Sequence, residues 1–314
     1  MAVHLIERGQ IAAKIETTKG TANAPVAVDA GIMVWDLGLT ERVDIAERNP
    51  VGAAFDDPAG IPEFRAYELT FRAEIQGGTT AGSRPPIWAL LRACGLSETI
   101  SASTSVTYAL ITAESSQECV TIDVYRDGKR YRLTGAMGNA VFVFERGTPT
   151  HVEFTFVGVY NAPVDAGLLA TPPYVAVAPP APVSATLTLM SNTLRAVGFR
   201  CDLGNQVELR EDVTNAAGFI HAVIVDRKPR ITVEPEDDLV ATVEWLTKKT
   251  GGTLGEFVGT FGTVAGNIHR ILAPAAQVVG AGFGERGGRI TRTLELACRG
   301  LAAFTNDSVS YRIT

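Results

Sequence analysis

The chain has 314 residues, a formal net charge of −6 and four cysteines. Because a typical domain has roughly 100–200 residues, this length predicts two domains, each able to bury its own core. The negative charge disfavours a general nucleic-acid binder, because phosphate binding requires concentrated lysine and arginine. The cysteines form no C-x-x-C pair, which argues against a zinc site and indicates buried thiols.

No segment of the sequence is typical of a targeting or membrane-spanning element. The N-terminus lacks the basic start and apolar core of a signal peptide, and no apolar run approaches the ~20 residues that span a bilayer. We therefore expect synthesis and residence in a cytosol-like space, without a membrane partner.

A proline-rich segment divides the chain. Residues 161–184 contain six of the 16 prolines and almost no charge, which is typical of an extended, semi-rigid linker. The predicted organisation is a first domain with an N-terminal arm over 1–163, a linker over 164–184 and a second domain over 185–314.

Both halves are predicted to be mainly β. Segments such as 66–75 and 118–133 alternate apolar and polar residues with period two, and the pair Asp127-Gly128 is typical of a two-residue hairpin turn. One helix is expected in each half, over 85–95 and over 237–252, each followed or closed by glycine. The fold class is therefore two tandem sandwich-like or barrel-like β-domains, each with one flanking helix.

The second half of the chain repeats the first. The stretch "IWALLRACG" at 87–95 corresponds to "EWLTKKTGG" at 244–252, and "YRLTGAMGN" at 131–139 corresponds to "HRILAPAAQ" at 269–277. Further blocks match in the same order: 35–52 with 201–218, 144–147 with 284–287, and 152–158 with 293–300. Matching blocks in constant order indicate an internal duplication.

The glycine-rich "GAMGN" at 135–139 resembles a phosphate loop only superficially. It lacks the spacing of nucleotide-binding motifs and lies between two predicted strands. The second copy replaces its glycines with alanine and proline, so the segment is predicted to be a twisted strand or bulge.

Other candidate sites are equally weak. The histidines, His4, His151, His221 and His269, show no metal-binding spacing, and we expect surface or pore-wall positions for His151 and His269. The acidic pair Asp56-Asp57 lies in a predicted loop, and the cluster at 234–238 precedes a predicted helix whose N-terminus it would favour. No catalytic, cofactor-binding or metal-binding residue and no cofactor is therefore predicted.

Two long loops are predicted at 47–64 and 75–86. Loops of this length are usually functional or disordered. The first contains internal valine, phenylalanine and isoleucine, which would be buried most simply against a neighbouring subunit.

At this point the chain resembles the tail tube (major tail) proteins of long, non-contractile-tailed bacteriophages. The resemblance is carried by "WDLGLTERVDIAERNPVGAAFDDPAG" at 35–60, "PPIWALLRACGL" at 85–96 and the stretch 121–163. It covers 35–163 and reaches the second half only through the internal match. It implies sandwich-like tube domains whose inner strands form a continuous barrel in each ring, and rings that stack into a tube.

The same resemblance implies a structural, non-enzymatic protein of the virion tail, assembled in the bacterial host cytoplasm. Its expected partners are copies of itself and the tape measure, tail terminator and distal tail proteins, while phage DNA passes through the lumen without sequence-specific binding. Two tube domains per chain predict a homotrimeric, pseudo-hexameric ring. A homohexamer with the second domain projecting outward is the alternative.

Functions from two other classes stay open. A tandem carbohydrate-binding or adhesin protein would need exposed aromatic platforms, but Trp35, Trp88 and Trp245 lie in a predicted strand start and two predicted helices. A polysaccharide hydrolase would need a carboxylate pair in a cleft, and the sequence shows no such pair.

Overall fold

The computed structural model describes residues 5, 8–52 and 56–314. The predicted mainly β class is confirmed. The strands of the first half are β1 (Gly9–Ile15), β2 (Val34–Ala46), β3 (Ile61–Glu74), β4 (Leu96–Ser101), β5 (Ser105–Leu110), β6 (Val120–Arg126), β7 (Lys129–Glu145) and β8 (His151–Asp165). Those of the second half are β9 (Thr186–Leu189), β10 (Asn192–Thr193), β11 (Ala196–Asp202), β12 (Asn205–Glu211), β13 (Phe219–Arg227), β14 (Arg230–Pro235), β15 (Leu254–Phe261), β16 (His269–Arg286), β17 (Arg289–Arg299) and β18 (Ser310–Ile313).

One α-helix flanks each half, as predicted. Helix α1 (Trp88–Ala93) and helix α2 (Trp245–Thr250) begin at matching tryptophans. Each is followed by a glycine with positive φ, 74° at Gly95 and 61° at Gly252, a conformation that glycine adopts without a Cβ penalty. Short 3₁₀ helices occur at Ala27–Ala30 and Glu114–Ser116.

The predicted start of the second helix was wrong. Residues 237–244 are not helical, and α2 begins only at Trp245. The carboxylate of Asp237 instead lies 3.1 Å from Nε of Arg292 on β17. An ion pair to a distant strand therefore takes the place of the predicted electrostatic support for a helix N-terminus.

Two runs of antiparallel strands have the same order of neighbours. The first run is β1-β6-β7-β8-β3-β2, and the second is β9-β15-β16-β17-β14-β11. The register corresponds as well, because Gly138 pairs with Phe156 in the first run and Ala276 with Cys298 in the second. The strand order therefore follows the repeat seen in the sequence.

The two runs are joined into one 16-stranded sheet, while β12 and β13 form a separate hairpin. Strand β7 pairs with β11, and β18 pairs with β5. The longest path through the sheet ends at β2 and β10, so the sheet of one chain is open. A continuous apolar core contains residues of both halves. The domain boundaries 1–163, 164–184 and 185–314 stay a prediction.

The glycine-rich stretch of β7 confirms the predicted bulge. Gly135 has a φ of 58°, and the register of β7 against β8 shifts between Thr134 and Met137. The Gly135 N–H donates to Oε1 of Glu16 at 2.7 Å. A Cβ at Gly135 would lie 2.7 Å from Cβ of His221, so the glycine allows a close approach of backbone segments.

The predicted hairpin at Asp127-Gly128 is confirmed. These two residues have φ values of 29° and 100° and connect the paired residues Arg126 and Lys129. Positive φ at both turn positions matches the twist of the flanking strands.

The proline-rich segment lies against both halves of the chain. Strand β8 continues to Asp165, and residues 166–185 contain no helix or strand. Side-chain amides of Gln76 and Asn267 donate to the carbonyl oxygens of Val177 and Ala178 at 2.9 Å each. Side chains from both halves thus hold the segment in place.

Substitution of Phe144 on β7 tests the core that contains residues of both halves. Its ring is fully buried and stacks on Phe199 and Phe261, with ring centroids 5.2 and 4.6 Å apart. Because truncation leaves a cavity, we expect Phe144→Ala to lower the free energy of unfolding by about 3–5 kcal/mol. Denaturant unfolding of the unassembled chain measures this change.

Phe283 on β16 provides the matched control. Its side chain is 75% exposed and its ring centroid lies 3.8 Å from the Arg292 guanidinium, so Phe283→Ala should lower the same free energy by no more than about 1 kcal/mol. Equal losses for the two variants would contradict the shared core as described.

Candidate assembly surfaces

The histidines lie in the interior, which corrects the expected surface or pore-wall positions. His151 and His269 are buried, and His221 is buried beside Glu114. His4 lies outside the described residues. Sequence reasoning missed this burial because the partners of these rings come from distant strands. The ring of Trp35, for example, is tilted by 60° against that of His151, with ring centroids 5.4 Å apart.

His269 is enclosed by two polar partners. Its Nδ1 lies 2.6 Å from the Tyr311 hydroxyl, and its Nε2 lies 2.8 Å from Oδ1 of Asn267. Burial lowers the pKa of His269 to about 3, because removal from water disfavours the charged imidazolium. This ring is therefore a neutral, structural group.

The described residues contain no cluster of three or more histidine, cysteine, aspartate or glutamate side chains that could hold a metal ion. The four thiols are buried, as predicted. Burial raises the pKa of both Cys119 and Cys298 to about 12. These protonated thiols are poor nucleophiles and poor metal ligands.

The acidic cluster at 234–238 binds the β16–β17 hairpin. Glu236 lies 2.7 Å from the guanidinium of Arg289, and this hydrogen bond lowers the pKa of Glu236. Oε1 of Glu234 accepts a hydrogen bond from Thr291 at 2.6 Å. The other acidic pair, Asp56-Asp57, is exposed.

A groove of about 490 Å³ lies near the tips of β7 and β16. Arginines dominate its lining: Arg146, Arg195, Arg286 and Arg289. Its one carboxylate, Glu236, is already paired with Arg289. A hydrolase would need two carboxyl groups placed for acid and base work, so this groove does not support the enzyme alternative.

The tryptophans offer no exposed platform for a sugar ring. Trp245 is buried, and Trp35 and Trp88 are half-buried. Trp88 is covered by the guanidinium of Arg84, 4.5 Å from the ring centroid. The adhesin alternative therefore gains no support from these residues.

The hairpin tip between β2 and β3 is the first candidate assembly surface. Val51 is fully exposed, and Ile45 and Ile61 at the base of the loop are more than half exposed. The predicted loop 47–64 was too long, because Ile61 begins β3, and residues 53–55 lie outside the described residues. Phe64 packs within the chain, with its ring centroid 5.1 Å from that of Phe219.

The other predicted loop, 75–86, packs against the second half of the same chain. The Gly77 N–H donates to Oδ1 of Asn267 at 2.9 Å. A Cβ at Gly77 would lie only 1.9 Å from the Gly266 carbonyl oxygen. This contact requires glycine and places that part of the loop inside the chain's own packing.

Open strand edges form the second candidate surface. Strand β16 pairs with β15 only as far as Gln277, and across the described ranges no strand pairs with this side of 278–286. Strand β2 pairs with β3 on one side, and its outer side carries no strand within the described part of the chain. The exposed Phe283 lies on the open part of β16.

Sequence reasoning missed these edges, although a signal was present. The match between 144–147 and 284–287 identifies the ends of β7 and β16 as counterparts. Only the pairing shows that β7 has a partner there and that β16 has none.

Comparison with known proteins identifies a family match. Residues 7–298 match the family model described as "Phage tail tube protein". No curated protein matches the chain. Among the described residues, no helix is long and apolar enough to cross a membrane.

His269 predicts a pH dependence of stability. Because its folded-state pKa is about 3 and its ordinary value is 6.5, protons bind the unfolded chain first as the pH falls below about 6.5. The free energy of unfolding should fall by about 2 kcal/mol between pH 7 and pH 5 through this group alone.

His269→Gln keeps hydrogen-bonding capacity and removes the titration. Denaturant unfolding at both pH values should show this loss in the natural chain but not in the variant. The carboxylates and His221, whose pKa is also lowered by burial, contribute alike to both proteins. The same pH dependence in both proteins would contradict the assignment.

Proposed function

Because the chain belongs to the phage tail tube protein family, we propose that it self-assembles into stacked rings that form the tube for DNA delivery into the host. The single observation that carries this proposal is the family match over residues 7–298. The open sheet supports it, because exposed strand edges are otherwise aggregation-prone and closure into a ring removes them.

An internally duplicated tube domain is part of the proposal. The equal strand order of the two runs and the matching positions of α1 and α2 support it. With two such units per chain, a homotrimer forms a pseudo-hexameric ring. Because β7 pairs with β11, the two strand runs belong to one sheet, which supports the trimer over a homohexamer with an outward second domain.

The passage of DNA, the contacts with other tail proteins and the place of assembly follow from this role. A net charge of −6 suits a conduit for DNA, because a lumen without concentrated positive charge lets a polyanion move without binding tightly. The expected contacts at the ends of the tube are the tail terminator and distal tail proteins, with the tape measure protein inside it. Assembly takes place in the host cytoplasm.

The number of chains in a ring tests the trimer. Native mass spectrometry of isolated rings should give three chains, and averaged end-on electron micrographs should show threefold symmetry with paired, similar lobes. Six chains per ring would support the homohexamer. A chain that stays monomeric at high concentration, with no rings or tubes, would contradict the proposed function itself.

The hairpin tip tests the stacking of rings. Replacing residues 48–59 with a glycine-serine sequence of equal length should leave rings intact but shorten or abolish tubes, because it removes exposed apolar side chains such as Val51. Electron microscopy measures tube length, and thermal unfolding provides the control. A variant that unfolds would show that this loop belongs to the core.

A further inference from the structure

The two strand runs are joined where β7 pairs with β11, and we call this pairing the internal junction. At this junction Phe199 of β11 pairs with Phe144 of β7 in antiparallel register. The Arg146 N–H donates to the Val197 carbonyl at 3.1 Å, and the Leu203 N–H donates to the Ala140 carbonyl at 3.1 Å. Direct backbone hydrogen bonds thus join the edges of the two units.

Strand pairing assigns the counterpart of each residue at this junction. In each run, four residues on neighbouring strands pair directly with one another. In the first run they are Val34–Ala73–Val152–Phe142, and in the second they are Phe199–Val233–Leu294–Ala281. Val34 therefore corresponds to Phe199, and Ala281 corresponds to Phe142. Two residues further along β16, strand pairing makes Phe283 the counterpart of Phe144, one residue before Gly284, which the matching sequence blocks align with Phe144.

Both counterpart edges are open in one chain. The Glu74 N–H donates to the Met33 carbonyl at 3.1 Å, so the alternation of hydrogen bonds directs the backbone groups of Val34 outward. On β7 the same alternation directs Phe142 and Phe144 towards β11, and their counterparts Ala281 and Phe283 face an unpaired edge. Each chain thus has two unpaired edges: one on β2, the counterpart of β11, and one on β16, the counterpart of β7.

We propose that copies of this chain join by repeating the internal junction between chains: β2 of one copy pairs antiparallel with residues 280–284 of β16 in the next. Val34 faces Phe283, and Trp35 faces Gly282. This inference rests on the proposed self-assembly and adds to it the two surfaces and their register.

Symmetry explains why the occupant is a second copy of the chain. The two edges are different surfaces, so their contact is head-to-tail, and such contacts form a ring when the rotation closes. The internal junction already joins the same two kinds of edge. Copies related by that contact continue one sheet through the ring and leave neither edge exposed.

Side chains at the two edges are complementary. Phe283 is exposed on β16, with the Arg292 guanidinium 3.8 Å from its ring centroid. Beside the start of β2 lies a groove of about 270 Å³ whose lining includes Ile32, Met33 and Val34. In the internal junction Phe144 stacks on Phe199, the counterpart of Val34, and is fully buried. Burial of Phe283 against Val34 would likewise remove an exposed apolar ring from water.

Cysteine cross-linking of assembled protein tests the register. The double variant Val34→Cys, Phe283→Cys places two thiols at a hydrogen-bonded antiparallel pair, where Cα atoms lie about 5.5 Å apart, within the range of a disulfide. After mild oxidation and alkylation of remaining thiols, a non-reducing denaturing gel should show covalent multimers that reductant dissolves.

The matched control moves one thiol by two residues along the same strand. In Val34→Cys, Glu285→Cys the Cα atoms would be separated by more than the roughly 7 Å that a disulfide can bridge. This variant, each single variant and the natural chain should give at least tenfold less multimer. Cross-linking of the shifted pair as strong as that of the matched pair would overturn the register.

A second variant tests the edge without a new bond. Ala281→Pro removes the N–H on the open side of β16, and proline is tolerated at strand edges. It should stay folded and monomeric by thermal unfolding and light scattering, whereas Ala281→Ser, which keeps the N–H, should assemble normally.

The outcomes separate this inference from the proposed function. If the natural chain forms rings but the matched cysteine pair does not cross-link and Ala281→Pro assembles, the inferred junction is wrong while the tube function stands. If the natural chain forms neither rings nor tubes, both fail. Selective cross-linking of the matched pair supports both.

Discussion

The backbone hydrogen bonds between β7 and β11 are the interaction on which the rest of this structure depends. A β-strand edge presents N–H and C=O groups that must find partners. Here part of the edge of β7 pairs with β11 of the same chain. This single contact unites two similar strand runs into one sheet and brings Phe144 against Phe199 and Phe261 in one core.

The same constraint leads from fold to function. Inside the chain, the edge of β7 pairs with the edge of β11. The corresponding edges of β16 and β2 stay open. These open edges agree with the proposed assembly of this member of the phage tail tube protein family into rings.

Much of the local structure could be predicted from sequence because its causes are local. Asp127-Gly128 specifies a hairpin through the φ values that its turn requires, and Gly95 and Gly252 end helices for a similar reason. Predictions that depended on distant partners were wrong. Asp237 was expected to open a helix but pairs with Arg292, and His269 was expected near a surface but lies between Asn267 and Tyr311.

The sequence by itself determined the β class, the repeated blocks and the resemblance to tail tube proteins, because these depend on periodicity, turn chemistry and residue order. Only the tertiary structure decided which strand edges are paired. Phe144 and Phe283 follow similar patterns in matching strands, yet one is buried and the other is exposed. The difference comes from β11, which lies beside β7 and not beside β16, and no local pattern encodes the position of a partner about fifty residues away in the chain.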